Sequence, residues 1–156
     1  MSMAPDTNES PADAAPRRVS GLLRIVLIVH GIITIAAAIV LAVAPDVIPA
    51  TVGIELDSDG FLLSYFLAAA ELAIAMLSLG ATRLTDQAAV GLIVAVFVVF
   101  HLSTAALEAV YLLFAPVTGV LVANLAVRVI AAAIFILAWR RWRRPGTSSV
   151  AGHPAS

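Results

Sequence analysis

Residues 88–114 read AAVGLIVAVFVVFHLSTAALEAVYLLF, an apolar run broken by only one imidazole and one carboxyl group, His101 and Glu108. The run exceeds the ~20 residues that an α-helix needs to cross ~30 Å of hydrocarbon. In lipid every backbone N–H and C=O must find its partner within the protein, so a spanning segment of this kind is a helix. A barrel would require short strands of alternating apolar and polar residues, and the run has no such alternation.

Three more runs of the same kind lie at about 21–44, 61–81 and 117–139. Together the four predict an all-α protein, a transmembrane four-helix bundle occupying residues 17–144. Residues 1–16, rich in Pro, Ala, Asp and Ser, read as a disordered tail, as do residues 145–156 with His153. The first run resembles a signal peptide in one respect, since Ala42-Val43-Ala44 looks like a cleavage site. It is longer than the ~7–15 residues of a signal core, and Pro45 follows directly, where it is expected to block cleavage.

Composition agrees with burial in lipid. Of 156 residues 62% are hydrophobic and 12% charged, too few to cover a soluble domain of this size. The net charge of −1 gives no footprint for nucleic acid. There is no Cys, so disulfides, thiol redox chemistry and Cys-ligated metals are excluded. All nine basic residues are Arg, which with abundant Ala and Val suggests a GC-rich bacterial genome.

The connections alternate in charge. Arg17 and Arg18 precede the first run, Arg83 lies between the second and third, and Arg140, Arg141, Arg143 and Arg144 follow the fourth. The 45–60 connection carries Asp46, Glu55, Asp57 and Asp59 but no Arg, and Ala115-Pro116-Val117 predicts a tight hairpin. Basic loops stay cytoplasmic. The expected topology is therefore up-down-up-down with both termini inside, in the plasma membrane of a bacterium. Trp139 and Trp142 suit the inner interface, and Tyr111 suits the outer one. The Arg cluster reads as a stop-transfer anchor, with anionic lipid binding as the alternative.

His30 precedes Ala44-Pro45 by the same interval at which His101 precedes Ala115-Pro116. In that register Ala38 meets Ala109 and Leu41 meets Leu112. An internal repeat of two helical hairpins about an axis normal to the membrane would explain this, and would set the two histidines opposite each other. Coincidence in an Ala/Leu/Val-rich background is the alternative.

The remaining signal is charge inside the membrane. His30, Glu71, His101 and Arg128 reach roughly mid-bilayer, and Glu108 lies nearer the outer face. A charged residue at a helix centre costs about 2.5–3.5 kcal/mol on insertion scales. Such groups turn inward and pair, or line a wet cavity. His101, Thr104, Glu108 and Tyr111 share one helical face, as do Asn124 and Arg128, and Ser64, Glu71 and Ser78 recur every seven residues. His30 and Thr34 continue into Ala38 and Ala42, small enough for close helix approach.

The expected site therefore has His30, Glu71, His101 and Glu108 as catalytic candidates and Arg128, Asn124, Thr104 and Tyr111 as ligand contacts. A Glu would act as general acid or base, the histidines would relay protons, and Arg128 would stabilise an anion. The substrate class is a hydrophobic small molecule, and isomerisation, cyclisation or epoxide opening would suit the groups. A proton-coupled transporter or channel, best as a homodimer because four helices make a thin wall, is a second reading. A third is a b-type haem on His30 and His101, with zinc on the two histidines and one Glu ranked lower. A fourth is a non-catalytic accessory subunit, in which a Glu71–Arg128 ion pair merely fixes helix register. No phosphate loop, nucleophile elbow or HExxH motif is present.

RIVLIVHGIITIAAAIVLAVAPDVIPATVGI at 24–54, followed by YFLAAAELAIAMLSLGA at 65–81, resembles small DoxX-like bacterial membrane proteins. The likeness covers about the first half of the chain and is one of texture. It implies a four-helix bundle in the bacterial inner membrane. Relatives of that kind are linked to quinone or thiol oxidation. Without Cys the thiol chemistry is not available here, and the resemblance assigns no functional residue.

Overall fold

The computed structural model describes residues 18–144. The two predicted tails, 1–16 and 145–156, lie outside the described residues, as does Arg17. The described chain is all helical: α1 Gly21–Val43, α2 Val47–Thr51, α3 Phe61–Ala81, α4 Gln87–Tyr111 and α5 Gly119–Arg143. Helices α1, α3, α4 and α5 are each long and apolar enough to cross a membrane. No more than 28% of any of these spans is buried inside the protein. The outward surface is large and apolar, with Ile33, Phe66, Leu92, Leu107 and Ile130 all well exposed. Soluble proteins rarely expose apolar patches of that extent, so the chain is a membrane protein.

The helix ends depart from the apolar runs where local chemistry intervenes. α4 stops at Tyr111 although the apolar run continues to Phe114. Pro116 disfavours helix at the residue before it, and Ala115 N–H turns back to the Tyr111 carbonyl at 3.1 Å. α5 starts at Gly119 because Thr118 caps it, its Oγ1 accepting from Leu121 N–H at 3.2 Å. It continues past Trp139 to Arg143, with Arg140, Arg141 and Arg143 in a last turn whose dipole favours cations. Apolarity marks where lipid ends, whereas the helix ends where its caps are. The short α2 escapes hydropathy because one turn carries no period. Pro49 is tolerated there in the first turn.

α1 packs along α3, α4 packs along α5, and the two pairs join mainly through α1 and α5. α3 and α4 barely touch. Ser78, near the end of α3, donates to the Leu27 carbonyl at 2.8 Å, while Ser64, near its start, donates to the Pro45 carbonyl at 2.8 Å. At the Arg-bearing end, Val19, Leu23, Leu27, Val90, Phe97 and Phe135 form a fully buried apolar cluster. Trp142 Nε1–H reaches the Arg18 carbonyl there at 3.4 Å.

Two glycines set the helix spacing. A Cβ on Gly31 of α1 would stand 2.8 Å from Leu79 of α3, and one on Gly91 of α4 would stand 2.8 Å from the Trp139 ring of α5. Gly91→Ala meets an indole wedged between two helices, so the helices must part. It is expected to destabilise by about 1–3 kcal/mol, the usual cost of overpacking. Reversible unfolding in sodium dodecyl sulfate would measure this. Gly80→Ala, where nothing lies within 4 Å of the added carbon, is the control expected to match wild type.

Candidate functional site

The intramembrane polar residues divide into two clusters. The first lies on α1, α3 and α4. His30 and His101 meet with their Nε2 atoms 3.3 Å apart. His30 Nδ1 lies 3.1 Å from Ser78 Oγ. The hydroxyl of Ser78 donates to the Leu27 carbonyl, so its oxygen serves His30 as an acceptor. With both rings neutral this fixes every proton. His30 carries its hydrogen on Nδ1, His101 donates from Nε2, and His101 Nδ1 is left as a bare lone pair. That atom is buried and has no partner among the described residues. The chain of donation runs one way, from His101 through His30 and Ser78 to the α1 backbone.

The second cluster lies on α4 and α5. Glu108 Oε1 accepts from Asn124 Nδ2 at 2.6 Å and from Arg128 Nε at 3.0 Å. Both charged side chains are largely buried, 16% exposed for Glu108 and 21% for Arg128. Glu108 Oε2 is buried and accepts nothing from the described residues. The Arg128 guanidinium sits 5.9 Å above the centre of the Phe100 ring, a cation–π contact.

These three residues form the polar wall of a cavity of about 540 Å³. Thr104 and Tyr111 line it from α4, Ser64 and Leu67 from α3, and Ile48 and Pro49 from α2. Its volume falls in the range of ~300–1,000 Å³ typical of small-molecule sites, and its walls are mostly apolar, as such sites are. The gap between α3 and α4 creates it, and α2 covers it.

His30 and His101 are thus brought into contact, their rings edge-on at 76°, as their equal intervals to Ala-Pro anticipate. Glu108, Asn124, Arg128, Thr104 and Tyr111 gather at the cavity. Tyr111 is more exposed than its companions, and Thr104 spends its hydroxyl on the Phe100 carbonyl at 2.7 Å. Glu71 joins neither cluster. It is half-buried and makes no hydrogen bond or ion pair among the described residues. The expected Glu71–Arg128 pair is replaced by Glu108–Arg128, because α4 and α5 lie packed together while α3 stands apart. Ser78, expected only as part of a small polar stripe, is the acceptor that orders the histidines. The α2 residues over the cavity gave no sequence signal.

The histidines do not fit a haem. Their nitrogens are in hydrogen-bond contact, and Phe97 and Phe135 pack on the His30 ring with centroids 4.9 and 5.1 Å away, leaving no room for a porphyrin between them. Among the described residues no three His, Asp or Glu side chains cluster as a metal site would require. In comparisons with known proteins, no family model, curated protein or solved structure matched this chain.

Proposed function

We propose that this is a polytopic protein of the bacterial inner membrane that binds a hydrophobic small molecule in the cavity between α3, α4 and α5. The helices run up-down-up-down with both termini cytoplasmic. The Ser78–Leu27 and Ser64–Pro45 bonds, which pair opposite ends of α1 and α3, support that order. The placement of every basic loop at one end supports the orientation. The resemblance of residues 24–81 to DoxX-like proteins points to the same membrane.

The observation that carries the reading is an apolar cavity with one polar wall, Glu108–Asn124–Arg128, inside a membrane domain. An anchor alone would avoid the insertion cost of that wall. Apolar walls hold a lipophilic body, and the polar wall orients a single functional group. Glu108 is placed to take or give a proton there, with Arg128 to stabilise charge that develops on an oxygen. Acid/base conversion, such as isomerisation or epoxide opening, is the chemistry these groups serve. Glu71 and the His101–His30 pair are the reserve proton carriers nearby.

Leu67→Trp tests this reading, because Leu67 lines the cavity from α3 and an indole there takes up space on the wall away from the α4 and α5 polar groups. Native mass spectrometry of wild-type protein from mild detergent is expected to show a stoichiometric lipophilic adduct, absent from the variant. An adduct retained equally by both proteins would place the lipophile elsewhere and end the proposal.

A further inference from the structure

Resting on that cavity reading, we infer that the ligand is an uncharged lipophile bearing a hydroxyl group, which donates to Glu108 Oε2 and accepts from Arg128. The carboxylate is asymmetrically used. Oε1 takes two donors, from Asn124 and Arg128, while Oε2 takes none although it is buried. Buried polar atoms in native proteins are nearly all satisfied, so each exception calls for a cause, and at a cavity wall a bound partner supplies one. The missing partner must be a hydrogen-bond donor, because an ionised carboxylate only accepts.

Arg128 supplies the complementary half. Only its Nε is engaged with the described residues, so both Nη groups are left with hydrogens to give, and the side chain lines the cavity. A bare acceptor and spare donors therefore stand together on one wall. A hydroxyl satisfies both with a single oxygen, since it gives one hydrogen and offers two lone pairs. An ether or ketone would serve Arg128 and leave Oε2 bare. Oε2 is shielded from water, but the terminal torsion of a Glu side chain is broad, and a small rotation of the carboxyl turns that oxygen to the cavity.

Charge argues against ionic ligands. Glu108 and Arg128 already form a neutral pair. A carboxylate or phosphate would add an uncompensated negative charge in a medium of low dielectric. A cationic head would have to sit against the Arg128 guanidinium.

The test uses full-length protein in detergent micelles with four probes of one chain length at equal concentration: dodecan-1-ol, its methyl ether, dodecanoate and dodecyltrimethylammonium. Native mass spectrometry reads the adducts. The alcohol is expected to exceed the ether by roughly ten- to a hundredfold, the worth of a hydrogen bond to a charged group. Both ions should bind less than the alcohol. Glu108→Gln puts an N–H where Oε2 stood and should bring alcohol and ether to within about twofold, whereas Glu108→Asp, still a carboxylate, should keep the preference. Should Glu108→Gln fail to fold, the wild-type ratio decides alone. A fifth probe, 1,2-dioctanoylglycerol, separates a two-chain membrane alcohol from a single-chain one, and tighter binding by either identifies the source. Binding of the ether or an ion as well as the alcohol overturns this inference and leaves the cavity proposal standing. Binding of none of the probes removes both.

Discussion

Glu108→Leu is expected to destabilise the protein by about 3–5 kcal/mol, the cost of breaking a buried ion pair from one side. Glu108 is the only acceptor bonded to the Arg128 guanidinium among the described residues. Arginine keeps its proton in proteins, so the stranded charge cannot neutralise itself. Arg128→Leu should cost less than Glu108→Leu, since the remaining carboxyl can take up a proton. The double variant Glu108→Leu/Arg128→Leu should recover most of the loss, because well-packed apolar residues commonly replace a buried pair without penalty. Unfolding by sodium dodecyl sulfate, followed by far-ultraviolet circular dichroism, gives the four corners of the cycle. Additive single-variant losses would mean that the pair is not coupled and that the site geometry is wrong. Glu71→Leu is the contrast, since Glu71 has no partner among the described residues to strand. It should lie within about 1 kcal/mol of wild type or above it. A loss as large as that of Glu108→Leu would show that Glu71 holds a pairing role.

That contrast marks where the sequence was legible and where it was not. Lipid admits only helices and closed barrels, and the runs lack the alternation of barrel strands, so four apolar runs translate into four helices with little ambiguity. The facing of His30 and His101 was legible because both stand at one interval before an Ala-Pro pair. The partner of Arg128 was not. One ionisable group per helix at one depth suggested that all would converge, yet convergence depends on which helices touch. α3 packs on α1 and leaves α4, so Glu71 is drawn away while Glu108 falls opposite Arg128 across the α4–α5 pair. The cavity is a product of the same gap, and a gap has no residues of its own to announce it. Ser78 stood in plain view, but its role depends on a hydroxyl already committed to the Leu27 carbonyl, which follows from how α3 packs on α1.

Proteoliposomes carrying the wild-type protein are expected to hold a pH gradient as long as protein-free vesicles do. The ordered run from His101 to His30 to Ser78 looks like the start of a proton path, and intramembrane histidines often serve one. It ends, however, at the Leu27 carbonyl, which can accept a hydrogen bond but cannot pass a proton on. Beyond it, toward the Arg-bearing end, stands the apolar cluster of Val19, Leu23, Leu27, Val90, Phe97 and Phe135, with exposures of 4% or less. Phe97 and Phe135 close against the His30 ring itself and against each other, their centroids 5.3 Å apart. A cavity admits water only where polar partners line it, and the residues of this cluster offer none, so it closes the Arg-bearing side to the histidines. Phe97→Ala/Phe135→Ala would remove both rings and put empty volume beside two imidazoles able to hold water. Each substitution should cost about 3–5 kcal/mol in stability, and in the protein that still inserts, the gradient should collapse faster. Phe97→Leu/Phe135→Leu keeps the volume largely filled and should remain tight. Wild-type vesicles that leak as fast as the double-alanine variant would show that the apolar cluster is no barrier, and would move proton-linked transport ahead of ligand binding.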